Sequence, residues 1–436
     1  AALILCTHPA ASAPLMSALT PLLRPRRRCT HRAAARASIA IALAAWLLAG
    51  PLSVSAQAAA NATPAAAPAA APVNAPVTAP TPTTPPATTA PMAALPPVPQ
   101  RLTVALVLPS QATPFARAAE TVRQGFFAAH AAGAQDVAIQ VIEIDERPEQ
   151  VLRAMSAARE RGAQVLVGPL TRAQVNAAVR TDAGLPVITL SLPDSDVLAA
   201  PTLLAFGLSV EQEARAVVRA ALDAHAPPPG APTRLTPRFV LLAGDSPLAR
   251  RASAAFQAAL RESGERVVVL PVTQRYDTLQ ALGDKVFRAE PEAVFLALDA
   301  REAALVRPRL SHQMALYATS LVNLGGAEGA LLAPELEGVR FVDAPWLLEP
   351  DHPAVMVFAR PATPLSAELN RLYALGIDAY RLALEWASGR QAFTLDGVTG
   401  SLRVDRAGSA RVERTPSFAV FRQGAVARTT VPAAAR

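Results

Sequence analysis

From about residue 101 onward, the sequence predicts an α/β protein with two lobes, each built on a doubly wound, mainly parallel sheet. Short runs of valine, isoleucine and leucine without polar alternation are typical of strands covered on both faces. These runs alternate with amphipathic stretches of helical length, which favours parallel strands joined by right-handed crossovers. The alternation pauses after residue 190 and restarts near residue 238, which indicates a second lobe.

The first series of elements lies between residues 102 and 190. Its apolar runs are predicted strands: Leu102–Pro109, Val137–Ile144, Val165–Gly168 and Pro186–Leu190. Between them, apolar residues recur at helical spacing and predict helices: Phe115–Ala132, Glu149–Arg161 and one that begins at Arg172.

The second series repeats this order. Its predicted strands are Arg238–Ala243, Val267–Leu270, Ala293–Leu298 and Ala315–Leu321. Its predicted helices are Pro247–Ser263, Thr278–Ala289 and Arg301–Ser311. A longer helical stretch, Leu365–Ser388, and a terminal pair of strands, Ser401–Asp405 and Ser417–Arg422, complete the two lobes.

The loops after the predicted strands are the candidate binding site, because open parallel sheets bind ligands at the carboxyl ends of their strands. In the first lobe the candidates are Ser110, Gly168, Pro169, Leu170, Thr171 and Ser191. In the second lobe they are Asp245, Asp299 and Ser320. A structural role is the alternative for each, since glycine and proline make tight turns and Ser, Thr and Asp cap helices.

The distribution of charge excludes a nucleic-acid partner. The chain carries a formal net charge of +7, but residues 1–58 contain six arginines and no acid. Removing those six charges leaves +1 for the rest of the chain. Because the rest of the chain is nearly neutral, it lacks the excess of basic residues that nucleic-acid binding requires.

Residues 1–58 have the pattern of an export signal, which predicts a periplasmic protein. A basic segment, Arg24–Arg36, precedes the apolar run Ala37–Val54, and Ala56-Gln57-Ala58 is a small-x-small cleavage pattern. An uncleaved inner-membrane anchor over residues 37–54 is the alternative. The two cysteines, Cys6 and Cys29, do not follow the apolar run, so the sequence has no lipobox.

Residues 59–100 form a linker rich in proline and alanine. They contain 12 of the 41 prolines of the chain. Such a composition cannot build a core, so we expect an extended, disordered segment.

The folded part lacks the motifs of an enzyme. It has no G-x-S-x-G elbow, phosphate loop or G-x-G-x-x-G, and no cysteine nucleophile. Its histidines do not have metal-ligand spacing: His130, His225, His312 and His352. We therefore expect no catalytic residue, no cofactor and no metal.

Several segments resemble the C-terminal domain of the LppC-type penicillin-binding protein activators. They occur in the family's order: VALVLPS at Val104–Ser110, GAQVLVGPLTRAQV at Gly162–Val175, LPVITLS at Leu185–Ser191, FGLSVEQEA at Phe206–Ala214, FVDAPWL at Phe341–Leu347, RLYALGIDAYRLA at Arg371–Ala383 and GVTGSLRVDR at Gly397–Arg406. The resemblance implies a type I periplasmic-binding-protein-like fold. It also implies a non-catalytic regulator that contacts a peptidoglycan synthase, a bifunctional penicillin-binding protein, in the periplasm.

The resemblance also implies where the lobes divide within the domain 101–436. Lobe 1 would comprise about 101–207 and 343–392, and lobe 2 about 208–342 and 393–436. Three crossovers would form a hinge, near Phe206–Ser209, Asp343–Trp346 and Thr394–Gly400.

A second function remains open on the residues alone: a solute receptor of an ABC-type importer. A receptor for an amino acid or similar small polar ligand needs an acid for the ammonium group, and Asp245, Asp299 or Asp343 could supply it. Thr171 and Ser191 could supply hydrogen-bond donors for the carboxylate. Because Pro169 and Leu170 make one loop bulky and apolar, we favour the regulator.

Overall fold

The computed structural model describes residues 101–133, 136–194, 202–228, 236–273 and 276–429. All of these residues belong to one compact unit, Met92–Arg436. The predicted signal segment and linker, residues 1–100, lie outside the described residues. Within the described part, no helix combines the length and the apolar character needed to cross a membrane.

The first lobe is built on an eight-stranded sheet. Its strands are β1 Leu102–Pro109, β2 Val137–Ile144, β3 Val165–Val167, β4 Val187–Thr189, β5 Leu203–Ala205, β11 Ala392–Asp396, β12 Ser401–Asp405 and β13 Ser409–Thr415. Their order across the sheet is β11-β12-β13-β5-β4-β3-β1-β2. β1 to β5 pair in parallel, and β11 to β13 form an antiparallel meander that joins β5 along β13.

Four helices cover this sheet: α1 Ala116–Ala132, α2 Pro148–Glu160, α3 Arg172–Ala178 and α11 Ala367–Ala387. α1 and α11 pack closely because glycines face the opposite backbone. A Cβ atom on Gly376 would lie 2.1 Å from Val122 O, and one on Gly125 would lie 1.9 Å from Tyr373 O. The core beside these helices contains Phe126, Tyr373 and Tyr380.

The second lobe is built on a seven-stranded sheet in the order β15-β14-β10-β9-β8-β6-β7. Its strands are β6 Phe239–Ala243, β7 Val267–Pro271, β8 Ala293–Ala297, β9 Ala315–Ala318, β10 Val339–Asp343, β14 Ser417–Arg422 and β15 Ala425–Arg428. β6 to β10 are parallel, whereas β14 and β15 are antiparallel additions at one edge.

The helices of the second lobe lie on both faces of its sheet. They are α4 Val210–Ala224, α5 Pro247–Glu262, α6 Tyr276–Ala289, α7 Ala300–Val306 and α8 Gly326–Leu332. Two short helices, α9 Pro345–Leu348 and α10 Pro353–Met356, follow β10. Serine N-caps fix where α4 and α5 begin: Ser209 accepts from Gln212 N, and Ser246 accepts from Ala249 N.

The predicted fold class is confirmed: two doubly wound lobes are joined by three crossovers. β5, β10, β11, β13 and β15 are strands that the sequence analysis did not predict. β5 is three residues long, and β11, β13 and β15 have exposed or intermediate residues that leave no continuous apolar run.

The predicted lobe boundary at residue 393 is wrong. β11, β12 and β13 belong to the first sheet, so only β14 and β15 of the C-terminal region belong to the second. The reason is the alternation in β12, whose Leu402 and Val404 are buried in the core of the first lobe. The third crossover therefore lies at Pro416, between β13 and β14, and not at Thr394–Gly400.

Candidate functional site

The first-lobe candidates lie where the sequence places them, after β1, β3 and β4, but most of their polar groups bind within the lobe. Ser110 N donates to Ile144 O at 2.8 Å, and its carbonyl accepts from Thr113. The Thr171 hydroxyl donates to Gln174 Oε1 at 2.8 Å. The Ser191 carbonyl accepts from the Thr189 hydroxyl at 2.8 Å.

The Gly168–Leu170 loop is structural. Gly168 has a φ of +120°, and a Cβ atom there would lie 2.1 Å from Val107 O. Only glycine fits a backbone that is both left-handed and this close to a neighbouring strand. Pro169 O accepts from Leu190 N, and Leu170 packs against the core of the first lobe.

Two second-lobe candidates remain on the surface of their own lobe. Asp245 is exposed, with 93% of its side chain accessible, and it pairs with Arg250 at 3.1 Å. Asp299 is the N-cap of α7 and forms a capping box with Glu302. The other two, Ser320 and Asp343, are buried.

Arg371 on α11 brings Asp343 and Ser320 together. Its Nε donates to Asp343 Oδ1 at 2.8 Å and its Nη2 to Asp343 Oδ2 at 2.7 Å, a two-pronged ion pair. The same Nη2 donates to Ser320 O at 3.0 Å. Asn323 Nδ2 also donates to Asp343, at 2.8 Å. Burial lowers the pKa of Arg371, but the charge and hydrogen bonds of Asp343 outweigh it, so the pKa lies above its ordinary value.

A second buried ion pair contacts the backbone N–H of Ser320. Glu213 Oε2 accepts from Ser320 N at 3.1 Å, and Glu213 Oε1 pairs with Arg414 Nη2 at 2.9 Å. The side chains of Arg414 and Glu213 are 1% and 6% exposed. Breaking an ion pair this deeply buried is costly, because the remaining charge is left without a partner and without hydration.

A third carboxylate continues the chain of contacts. Arg414 Nη1 donates to Thr399 O at 3.1 Å, and the Thr399 hydroxyl donates to Asp378 Oδ2 at 2.6 Å. Asp378 also accepts from Val398 N and Thr399 N and pairs with Arg381 at 3.3 Å. Burial raises the pKa of Asp378, although these bonds oppose the shift.

These contacts connect all three crossovers, and we call them the hinge network: Glu213, Ser320, Asn323, Asp343, Arg371, Asp378, Thr399 and Arg414. Glu213 follows the first crossover, Asp343 ends β10 at the second, and Arg414 precedes the third. Arg371 and Asp378 lie on α11 of the first lobe. Glu213–Arg414 and Asp343–Arg371 are therefore buried ion pairs that join the two lobes at the crossovers.

Sequence reasoning identified Ser320 and Asp343 and missed the charges that hold them. Glu213, Arg371 and Asp378 lie within segments whose resemblance to a family the sequence analysis noted. Arg371 and Glu213 have no local signature as buried charges, since their partners lie 28 and 201 residues away in sequence. The signal that could have identified these residues is a charged side chain within an otherwise apolar segment that resembles the family.

The rims of the two lobes carry exposed charge. Arg172 pairs with Asp194 at 2.8 Å on the first lobe, and Arg251 pairs with Glu211 at 2.8 Å on the second. Hydrogen bonds from Asn176 and Arg172 lower the pKa of Asp194, and the charge of Arg251 adds to the shift. The two rims are thus within electrostatic range of each other. Among the described residues, no group of His, Cys, Asp or Glu has the geometry to hold a metal ion.

Two doubly wound lobes with three crossovers and a hinge between them define the class of type I periplasmic-binding-protein-like folds. The family model described as LppC putative lipoprotein matches residues 78–226 and 260–424. The chain belongs to the LppC family.

Curated relatives are named penicillin-binding protein activator LpoA. The relative from Erwinia tasmaniensis is 29% identical over 317 residues, which cover 63% of this chain and 46% of the relative. The relative from Edwardsiella piscicida is 29% identical over 314 residues, which cover 62% of this chain and 43% of the relative. The chain spans about half the length of the curated relatives it matches.

Two solved structures share the fold. One, described as a putative branched-chain amino acid ABC transporter from Chromobacterium violaceum, is 33% identical with a TM-score of 0.62, and covers 73% of this chain and 99% of its own. The other is the C-domain of LpoA from Haemophilus influenzae, described as a regulator of PBP1A. It is 22% identical with a TM-score of 0.61, and covers 75% of this chain and 100% of its own.

Proposed function

We propose that the protein is a non-catalytic regulator that binds a bifunctional peptidoglycan synthase in the periplasm through a rigid two-lobed domain. On this proposal, residues 1–58 direct export and residues 59–100 are a linker. The names of the curated relatives support the choice of partner.

The hinge network is the observation that carries the proposal. A solute receptor works by closing its lobes on a ligand, which requires crossovers that rotate easily. Here Glu213–Arg414 and Asp343–Arg371 are buried ion pairs at the crossovers themselves. Removing one partner of a buried pair costs about 3–5 kcal/mol, so any closure that separated these pairs would be opposed.

The cleft loops support the same conclusion. A receptor presents free acids and hydroxyls that converge on its ligand. Asp343 and Ser320 are instead used inside the hinge network, and Thr171 binds Gln174. The Asp343 carboxylate and the Thr171 hydroxyl are therefore already bonded within the protein, whereas Ser320 takes part through its backbone.

A solute receptor for an amino acid is the second candidate. It is favoured by the 33% identity to the structure described as a putative branched-chain amino acid ABC transporter. Its ligand would have to bind the candidates with the fewest contacts to the protein, Asp245 and the Ser191 hydroxyl. The Asp245 side chain is 93% exposed, and Ser191 is half-buried.

Thermal unfolding with a panel of amino acids separates the two candidates. A ligand at 100 times its Kd stabilises a protein by about 2.7 kcal/mol, which raises Tm by several degrees in a domain of this size. We expect no such shift with any of the twenty amino acids. A reproducible rise of several degrees with one of them would establish the receptor instead.

Direct binding tests the regulator. The purified full chain should bind the purified bifunctional synthase of the same bacterium in surface plasmon resonance, and a monofunctional transpeptidase is the control. No binding at micromolar concentration, with the domain folded by circular dichroism, would refute the proposal.

A further inference from the structure

One surface where the two lobes meet combines a groove, a free strand edge and a cation that has no acidic partner among the described residues. Two cavities of about 400 Å³ and 270 Å³ share Asn323, Gly325, Gly326 and Val426 in their walls, so they form one groove. It lies beside β15 and is separate from the hinge network, except for Asn323. We call it the β15 groove.

The walls of the β15 groove are mainly apolar. The first cavity is lined by Trp346, Leu347, Leu348 and Leu365, and the second by Val322, Leu332, Leu336 and Phe421. Val426, in the walls of both cavities, is 40% exposed. An apolar groove with an exposed apolar side chain in its wall is typical of a surface that another molecule covers.

The edge of β15 offers backbone hydrogen bonds to that molecule. Among the described residues, β15 is the last strand of its sheet and pairs only with β14. Thr429 N donates to Phe418 O at 3.0 Å. In an antiparallel pair, bonded and non-bonded residues alternate, so Ala425 and Ala427 also face β14. The N–H and C=O groups of Val426 and Arg428 therefore point away from the sheet.

Arg360 gives the groove a preference for negative charge. Its guanidinium lies 3.8 Å from the centre of the Trp346 ring and donates from Nη1 to Trp346 O at 2.8 Å. No carboxylate among the described residues forms an ion pair with it. The other cation beside the groove, Arg428, already pairs with Glu349 at 2.9 Å.

We propose that the β15 groove binds an extended peptide segment that carries apolar side chains and one carboxylate. The segment adds to β15 as a further strand, and alternate side chains enter the two cavities while the carboxylate meets Arg360. The inference rests on the proposed function only for the identity of the protein that supplies the segment, the synthase.

Designed peptides test the site without the synthase. The probe is a fluorescein-labelled peptide of alternating valine and serine with a central glutamate. One control replaces the glutamate with lysine, and another carries N-methyl groups on alternate amides, which removes strand pairing. We expect the full chain to bind the glutamate peptide about two- to fivefold more tightly than the lysine peptide, and not to bind the methylated peptide.

Two variants locate the binding. Val426→Pro removes an outward N–H but no bond to β14, a position where an edge strand tolerates proline. It should weaken the glutamate peptide at least about threefold. Arg360→Glu should reverse the preference between the glutamate and lysine peptides. Phe287→Ser, at an exposed apolar residue of α6, is the matched control and should change neither.

The outcomes separate this inference from the proposed function. Equal affinity of wild type and Val426→Pro, or no binding of the glutamate peptide at all, overturns the β15 groove as a peptide site. Peptide binding that responds as expected, together with synthase binding that both variants weaken, supports both. Synthase binding that neither variant weakens overturns only the assignment of the synthase to this groove.

Discussion

Two arginine side chains form the buried ion pairs between the lobes. Arg371 and Arg414 each bind a carboxylate of the second lobe and also a backbone carbonyl. Both arginines direct the N–H groups of a planar guanidinium to separate acceptors, a fixed fork of donors that a lysine ammonium does not have. The hinge network therefore depends on these two side chains more than on any other.

Arg414→Met should destabilise the domain strongly, because it leaves Glu213 buried without a counter-charge. We expect a loss of about 3–5 kcal/mol in the free energy of unfolding, measured by urea denaturation. Glu413→Ala, at the adjacent residue of β13, is the control: its side chain is 68% exposed, and its loss should cost under about 1 kcal/mol. Similar losses in the two variants would show that the buried pair contributes nothing special.

His225 predicts an acid-side loss of stability. Burial lowers the pKa of His225 below its ordinary value of 6.5. Below pH 6.5 the unfolded chain then binds more protons than the folded one, so the free energy of unfolding falls as the pH falls to the folded pKa. Between pH 7 and pH 5, wild type should lose more stability than His225→Gln. Parallel pH profiles for the two proteins would contradict this assignment.

At the scale of elements, the contact between α1 and α11 is set by glycine. Gly376→Ala should force α11 away from α1, since its Cβ atom would lie 2.1 Å from Val122 O. Overpacking of this kind costs about 1–3 kcal/mol or more.

Gly329→Ala on α8 is the matched control for that change. The nearest atom to its Cβ would lie 3.5 Å away, and the backbone there has no positive φ. Alanine should then stabilise the helix by about 0.5–1 kcal/mol. Thermal unfolding should show shifts of opposite sign, and a loss of similar size in both variants would contradict the packing argument.

The elements also show what local sequence can predict. β1 and β8 were evident because each is an uninterrupted apolar run with buried side chains. β11 was not, because no residue in it is fully buried, and β13 was not, because its residues are largely polar. Their place in the first sheet follows from Leu402 and Val404 of the strand between them, a tertiary fact that no local pattern shows.

At the scale of the whole molecule, topology was predictable and the use of the cleft was not. Parallel order placed the candidate loops at the carboxyl ends of the strands, where they are found. It could not show that Asp343 and Ser320 face into the hinge, because that depends on Arg371, 28 residues beyond Asp343 in sequence. Only three-dimensional contacts show whether the polar groups of candidate site residues are bonded to each other or are free to bind a ligand.

A regulator of this kind has lobes that do not rotate against each other. Pulsed electron spin resonance measures this directly, with spin labels on cysteines at Gln111 and Arg250, exposed positions after β1 and in the first turn of α5, and with Cys6 and Cys29 replaced by serine. We expect one narrow distance distribution that no amino acid shifts, and a broader one in Arg414→Met. Two populations in the otherwise wild-type protein, or a shift to shorter distance with an amino acid, would contradict the central claim.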